Sequence, residues 1–137
     1  MTGQIKRDGE GWVWSRAGAK DIVLWHNPWG KTDAAADMEK LAPSLSNLDQ
    51  LIVASRAALV NEYYDPWRDN WSHTYDGDLT KEAFAEKLVF MSVVYPSGQF
   101  LHSHFELSFD DSGIFLGHGF VCVYTLDSTY VHSEMVG

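Results

Sequence analysis

The sequence predicts an α+β fold: an antiparallel β-meander with helices packed on one sheet face, plus an amino-terminal β-hairpin. Three observations support this fold class. Strand-like and helix-like segments are segregated along the chain instead of alternating. The carboxy-terminal part contains strand-like runs joined by short turns. The 137 residues are 45% hydrophobic and 14% aromatic, which is enough apolar material for the core of one domain. We therefore expect a single α+β domain over residues 1–137.

The predicted hairpin consists of two short strands, over residues 11–15 and 21–25. In the first strand Trp12 and Trp14 share one face, because successive side chains of a strand alternate between its two sides. The sequence Asn-Pro-Trp-Gly at residues 27–30 is typical of a turn and should end the hairpin.

Three helices are predicted next, over residues 32–41, 46–65 and 81–87, with a polar loop over residues 73–78. The longest helix should end at Pro66, because proline lacks the amide hydrogen that the next turn needs. Its apolar residues recur at spacings of three and four and form one stripe. That stripe consists of Leu48, Leu51, Ile52, Ser55, Ala58, Leu59 and Tyr63.

The carboxy-terminal meander is predicted from strands over residues 89–95, 99–109 and 114–125. Alternation in the middle strand separates its side chains into two sets. The apolar set, which should face the helices, is Leu101, Phe105, Leu107 and Phe109. The polar set, on the opposite side, is His102, His104, Glu106 and Ser108.

The register of the last two strands depends on the turn between them. A three-residue loop ending at Gly113 would pair Asp110 with Ile114, which places Glu106 opposite His118. A loop one residue shorter or longer would reverse the two faces of the last strand. The predicted register adds three residues to the helix side: Phe115, Val121 and Val123.

This register would gather four potential metal ligands on one side of the sheet: His102, His104, Glu106 and His118. Histidines two residues apart on a strand, with a third from the neighbouring strand, can hold zinc or iron with an open coordination position. Glu106 would then be a fourth ligand, a group that orients a ligating histidine, or a general base. The alternative is a solvated strand on which histidine and glutamate alternate. We favour this alternative, because strand histidines without a neighbouring cysteine or second carboxylate are usually not ligands. No cofactor is therefore expected.

Charge and cysteine content exclude several function classes. The net charge is −9, from 19 acidic and 10 basic residues. The basic residues are scattered along the chain, which argues against binding to nucleic acid. No apolar run is long enough to span a membrane, and no signal peptide is recognisable. The single cysteine, Cys122, cannot form an internal disulfide. These observations predict a cytoplasmic protein.

The histidine-bearing side of the sheet is also the predicted binding surface for a protein partner. An apolar and acidic sheet face with no helix left to cover it is typical of an interaction site. Its predicted contact residues are Ile114, Leu116, Phe120, Tyr124 and Glu106. The net charge favours a basic partner, although the same face could also serve a homodimer.

Four short motifs mark the last part of the chain. They are Leu-Thr-Lys-Glu-Ala-Phe at residues 79–84, Tyr-Pro-Ser-Gly-Gln-Phe at 95–100, Phe-Asp-Asp at 109–111 and Phe-Leu-Gly-His at 115–118. Together they resemble the signature of a bacterial family known as domain of unknown function 2262. The chain departs from the family pattern at Ser112 and Gly113, where the family usually has glycine and then an acidic residue. The resemblance implies the helix and strand layout and points to Gly117 and His118. The family has no assigned activity, so it implies no mechanism.

The sequence therefore favours a protein-binding module over an enzyme. Small acidic bacterial proteins without catalytic motifs include many immunity-type proteins that neutralise a basic toxin or enzyme, and this association gives the leading hypothesis. Two alternatives remain open. One is a small metal-dependent enzyme that uses the His-x-His-x-Glu strand, and the other is a small-ligand sensor lined by some of the six tryptophans.

Overall fold

A computed structural model describes residues 3–72 and 79–137, so the predicted polar loop at residues 73–78 lies outside the described residues. Within them, a seven-stranded sheet has its strands in sequence order, and three α-helices lie between the third and fourth strands. The elements are β1 (Gly3–Asp8), β2 (Gly11–Arg16), β3 (Ile22–His26), α1 (Ala34–Leu41), α2 (Leu48–Asn70), α3 (Lys81–Lys87), β4 (Val89–Tyr95), β5 (His104–Asp110), β6 (Gly119–Thr125) and β7 (Tyr130–Val136). Two 3₁₀ segments, Pro28–Gly30 and Ala42–Asn47, flank α1.

The sheet is antiparallel at every pairing except that of β3 with β4, which is parallel. The helical segment makes this possible, because a parallel pair needs a long connection that returns the chain to the same end of the sheet. The predicted α+β fold with an amino-terminal hairpin is confirmed. None of the described helices is long and apolar enough to cross a membrane.

The core lies between α2 and one side of the sheet. Leu48, Leu51, Ser55 and Leu59 of the predicted stripe are buried on α2. Opposite them, Phe105 on β5 is buried and stacks on Tyr124 of β6, with 5.8 Å between ring centroids. The hydroxyl of Tyr124 lies 2.7 Å from that of Ser55 and donates to the carbonyl of Leu51 at 3.2 Å, so both buried hydroxyls are hydrogen-bonded.

The short helices form where local signals favour them. The side chain of Asp33 caps α1 by accepting a hydrogen bond from the N–H of Ala36, at 3.1 Å. Thr80 caps α3 in the same way through the N–H of Ala83, also at 3.1 Å. The bounds predicted for α3 and β4 are confirmed.

The predicted end of the long helix at Pro66 is wrong, because α2 continues to Asn70. Trp67 explains the difference. Its side chain is fully buried, and its Nε1 donates a hydrogen bond to the carbonyl of Ile114 at 2.9 Å. Burial of a tryptophan with its N–H satisfied outweighs the single helical hydrogen bond that proline removes.

Two of the three predicted meander strands are shorter than expected. β5 begins at His104, and residues 97–103 instead form a loop that folds back over the sheet. Leu101, expected on the helix side, lies in this loop with a positive φ of 53° and is 44% exposed. The other three members of the apolar set are buried on the helix side, as expected: Phe105, Leu107 and Phe109.

The predicted register between the last two strands is also wrong. Asp110 pairs with Gly119 instead of Ile114, and Glu106 pairs with Val123 instead of His118. The shift is an odd number of residues, so it reverses the two faces of β6. Val121 and Val123, expected on the helix side, therefore lie on the opposite side, as Glu106 and Val123 are direct partners.

The cause of the shift is a turn organised by Asp111. Its buried carboxylate accepts hydrogen bonds from the N–H groups of Gly113 at 2.9 Å, Phe115 at 2.9 Å and Gly117 at 3.0 Å. These bonds hold residues 111–118 in a compact turn, and the strand begins only afterwards.

Candidate functional site

The structure does not bring the four predicted metal ligands together. His104 and Glu106 lie on β5, His102 lies in the loop before it, and His118 lies in the turn that precedes β6. The rings of His118 and Trp71 are nearly perpendicular, with 6.0 Å between their centroids. Within residues 3–72 and 79–137, no group of three or more histidine, cysteine, aspartate and glutamate side chains is arranged to hold a metal ion.

The predicted partner-binding surface is not formed either. Ile114, Phe120 and Tyr124 are at most 1% exposed, because they pack on the helix side of the sheet. Leu116 is 65% exposed but lies in the turn, and Glu106 is nearly buried on the other side. The reversed faces of β6 account for Phe120 and Tyr124, and the turn held by Asp111 accounts for Ile114 and Leu116.

The side of the sheet opposite the helices is here called the open face. Strand pairing places its side chains in two cross-strand rows. The first row is Lys6, Val13, Val23, Ser92, Ser108, Val121 and Glu134, and the second is Trp25, Val94, Glu106, Val123 and His132.

The loop of residues 97–103 covers one half of the open face. Glu106 accepts hydrogen bonds from the hydroxyl of Ser97 at 2.8 Å and the N–H of Gly98 at 2.9 Å. The ring of Phe100 lies over His104, with 4.5 Å between ring centroids. These contacts explain why Glu106 is only 8% exposed although no helix lies above it.

In the other half of the open face, β3 and β4 expose apolar side chains, although Val13 of β2 is only 7% exposed. Val23 and Trp25 are each 52% exposed in the middle of the sheet. Val89 and Met91, at the start of β4, are 44% and 55% exposed. They line the same hollow as Val23, which extends to Asp49 and Ile52 of α2 and is also lined by charged side chains of residues 16–21. We call Val23, Trp25, Val89 and Met91 the exposed strip. Exposed apolar side chains grouped on one sheet face are typical of interaction sites.

A polar cluster lies next to the exposed strip, at the carboxyl ends of β3 and β4. Asp37 on α1 accepts a hydrogen bond from Nε2 of His26 at 2.8 Å and another from the hydroxyl of Thr32. Nε2 of His102 lies 2.9 Å from the Thr32 hydroxyl and 3.7 Å from the Asp37 carboxylate. The cluster forms because the ends of a parallel strand pair meet at one edge of the sheet.

The charge of Asp37 is stabilised within this cluster. Burial raises the pKa of its carboxyl. The hydrogen bonds from Thr32 and His26 and the charges of His102 and His26 together lower the pKa by more than burial raises it, so the pKa lies below its ordinary value. A carboxylate with a low pKa is a weak general base at neutral pH. The cluster is therefore better suited to holding two loops together than to removing a proton from a substrate.

Sequence reasoning found only His102 of this cluster. His26 and Asp37 are separated by ten residues, and Thr32 and His102 by 69, so no local spacing connects them. Their proximity depends on the parallel pairing of β3 with β4, which the chain order of the elements does not reveal.

Comparison with known proteins yields no relative, since no family model, no curated protein and no solved structure matches this chain. The resemblance to domain of unknown function 2262 stays a prediction. The function must therefore be argued from the surfaces of the chain itself.

Proposed function

We propose that this protein is a protein-binding module whose exposed strip contacts a basic partner. The observation that carries the proposal is the uncovered half of the open face, where Val23 and Trp25 are each 52% exposed. Helices cover the opposite side of the same sheet, and the loop of residues 97–103 covers the other half of this side.

The composition of the strip fits a protein interface. Tryptophan and methionine are enriched at interfaces, and tryptophan is among the residues that contribute most to binding energy. Trp29, in the 3₁₀ segment that follows β3, is 80% exposed and is a second exposed indole close to Trp25 in the sequence. Burial of these side chains by a partner would remove apolar area that the fold leaves in water.

The charge of the chain supports a basic partner. A net charge of −9 attracts cationic proteins over distances longer than direct contact and speeds their association. A basic toxin or enzyme, neutralised in the manner of an immunity-type protein, fits this description. A second copy of the same acidic chain fits less well, because two chains of charge −9 repel each other.

The test uses a photo-crosslinking amino acid placed at position 23 or, as a control, at position 53. Val53 lies on α2 and is 67% exposed, so it matches Val23 in type and exposure but lies on a helix. In cells that naturally make the protein, we expect a protein crosslink from position 23 and none from position 53. Equal crosslinking from both positions would contradict the proposal.

The captured partner is then purified, and its affinity is measured by titration calorimetry. Trp25→Ala should weaken binding about 30-fold, the effect of losing one interface residue that contributes about 2 kcal/mol. Val53→Ala should leave the affinity unchanged. If position 23 crosslinks only to a second copy of the same chain, the exposed strip forms a homodimer and the proposed basic partner is wrong.

A further inference from the structure

A second surface, independent of the proposed function, is the free edge of β1. β1 is the first strand of the described sheet, and only β2 lies beside it. The two strands pair residue for residue without a shift, from Gly3 with Arg16 to Asp8 with Gly11. A regular edge strand of this kind can accept a further strand, because half of its backbone N–H and C=O groups point away from the sheet.

The turn between β1 and β2 shows which backbone groups point outward. Two residues connect Asp8 to Gly11, and the first of them, a glycine, has a positive φ of 62°. The residues on either side of such a turn form a hydrogen-bonded pair, and these pairs alternate along the strands. Asp8 and Lys6 therefore bond to β2. The N–H and C=O groups of Ile5 and Arg7 point away from the sheet, where no described backbone group bonds to them.

A groove of about 660 Å³ follows this edge on the helix side of the sheet. β1 and β2 form one wall, and α1 with the following 3₁₀ segment forms the other. The groove reaches the edge itself, because Gln4 lines it although the side chain of Gln4 lies on the open face. Its apolar lining includes Ile5, Trp12, Met38, Ala42 and Pro43. Alternate side chains of a strand added beside β1 would therefore enter an apolar groove.

The charge at this edge selects the sequence of the added strand. Residues 3–20 carry four basic and two acidic side chains, which give a net charge of +2 within a chain of −9. Lys6 is exposed on the open face of β1, beside the free edge. Opposite charges on facing residues stabilise a strand pair, so an acidic residue is favoured opposite Lys6. Charges beyond about 8 Å are largely screened at physiological salt, so the acidic remainder of the chain opposes this contact only weakly.

A second copy of this chain is a poorer occupant than an acidic strand. Two β1 strands side by side would bring Lys6 and Arg7 of both chains together, and like charges on facing strands are destabilising. The other edge of the described sheet, β7, has a register shift opposite Val123 and Tyr124. Such irregularities hinder the addition of a further strand. The better occupant is a segment of another protein.

We propose that β1 binds an extended acidic segment of another protein by adding it to the sheet. The backbone of the segment bonds to the N–H and C=O groups of Ile5 and Arg7. Apolar and acidic side chains alternate along the segment, so that the apolar ones enter the groove and an acidic one faces Lys6. This partner is opposite in charge to the one proposed for the exposed strip.

The charge preference is tested with a capped peptide of alternating valine and glutamate, titrated into the full chain and followed by NMR. The amide signals of Ile5 and Arg7 should shift until they saturate, with a dissociation constant below about 1 mM. The same peptide with lysine in place of glutamate should bind about tenfold more weakly. Equal binding of the two peptides, or no saturation by the glutamate peptide, would overturn the proposal.

Hydrogen exchange tests the geometry of the pairing. In the free chain the outward N–H groups of Ile5 and Arg7 should exchange faster than that of Lys6, which is bonded to β2. The glutamate peptide, at about ten times its dissociation constant, should slow exchange at Ile5 and Arg7 about tenfold and change Lys6 much less. Binding without slower exchange at Ile5 and Arg7 would contradict strand addition.

Reversing one charge tests the role of Lys6. Lys6→Glu should reverse the preference, so that the lysine peptide binds more tightly than the glutamate peptide. Lys20→Glu is the matched control, because it changes the net charge equally but lies between β2 and β3 and does not line the groove. Lys20→Glu should keep the preference of the parent chain. An equal change of preference in both variants would show that net charge, and not the edge of β1, selects the peptide.

The role of the groove is tested with two neighbouring alanines of α1. Ala35 and Ala36 are both exposed, but only Ala35 lines the groove. Ala35→Phe should fill the groove and weaken binding of the glutamate peptide about tenfold, whereas Ala36→Phe should not. The melting temperatures of both variants show whether they are folded. Equal affinities in two folded variants would mean that the side chains of the added strand do not enter the groove.

Discussion

Asp110 and Asp111 are neighbours in the sequence, yet their carboxylates lie in different surroundings. Asp111 is 1% exposed, and its two oxygens accept hydrogen bonds from three backbone N–H groups of the turn. Asp110 is exposed, and its carboxylate accepts one bond, from the N–H of Ser112 at 3.1 Å. The difference makes Asp111 the residue that determines where β6 begins.

Asp111→Asn should lower the free energy of unfolding by about 2–4 kcal/mol, because the amide nitrogen would face N–H groups that need an acceptor. Urea denaturation followed by circular dichroism measures the change. Asp110→Asn is the matched control and should stay within about 1 kcal/mol of the parent chain. Equal losses in the two variants would show that the turn does not depend on Asp111.

Asp37 should make stability depend on pH in the acid range. Its pKa in the folded chain lies below the ordinary value of 3.8, so the unfolded chain takes up a proton first as the pH falls. The stabilisation is complete above about pH 5 and is lost as the pH falls through the folded pKa. Asp37→Asn should therefore lower the unfolding free energy by about 1–3 kcal/mol at pH 7 and by less at pH 3. A deficit of the same size at both pH values would contradict this assignment.

At the level of elements, local sequence signals predicted α3 and β4 with the correct bounds, because each is delimited within a few residues. The predicted start of the strand that became β6 was wrong for a physical reason. Ile-Phe-Leu at residues 114–116 looks like a strand, but the carboxylate of Asp111 holds the backbone there in a turn, and Leu116 has a positive φ of 60°. β1 and β7 were missed because each becomes a strand only by pairing at an edge of the sheet.

An open sheet face was predictable from the sequence, but the residues on it were not. A sheet with helices on one side leaves the other side open, and the sequence predicted that the open side would be an interaction surface. Which residues lie on the open side depends on the register of β6. Because that register is shifted by an odd number of residues, Val121 and Val123 lie there instead of Phe120 and Tyr124. The exposed strip lies on β3 and β4 instead, where no binding role had been expected.

The assignment of the β5 faces is tested by truncating two phenylalanines, one within β5 and one in the loop before it. Phe105 is fully buried under α2, so Phe105→Ala should lower the unfolding free energy by about 3–5 kcal/mol. Phe100, in the covering loop, is 40% exposed, and Phe100→Ala should cause a smaller loss, about 1–2 kcal/mol. Thermal denaturation of both variants provides the comparison, and an unchanged melting temperature for Phe105→Ala would disprove the face assignment.

At the scale of the whole molecule, charge and apolar area should act on different steps of binding. The net charge of −9 acts at long range and raises the rate of encounter with a cation-rich partner. Trp25 acts only after contact, when its exposed half is buried.

The association rate with the captured partner should therefore fall about tenfold or more between 0.05 and 0.5 M salt, because screening shortens the range of the attraction. The dissociation rate should change much less with salt but should increase in Trp25→Ala. Surface plasmon resonance at several salt concentrations separates the two rates. A salt-independent association rate would mean that the partner is not recruited by charge.

The parallel pairing of β3 with β4 also has a consequence for the order of folding. The strands of every other pair are joined by a short connection. Leu24 and Val93, in contrast, are separated in the chain by the whole helical segment. Closing a loop of this length carries an entropic penalty of about 4 kcal/mol, which hairpins largely avoid. Three strands on one side of this seam and four on the other can therefore pair early as separate ribbons. We expect the two ribbons to join last, in the slow step that sets the folding rate.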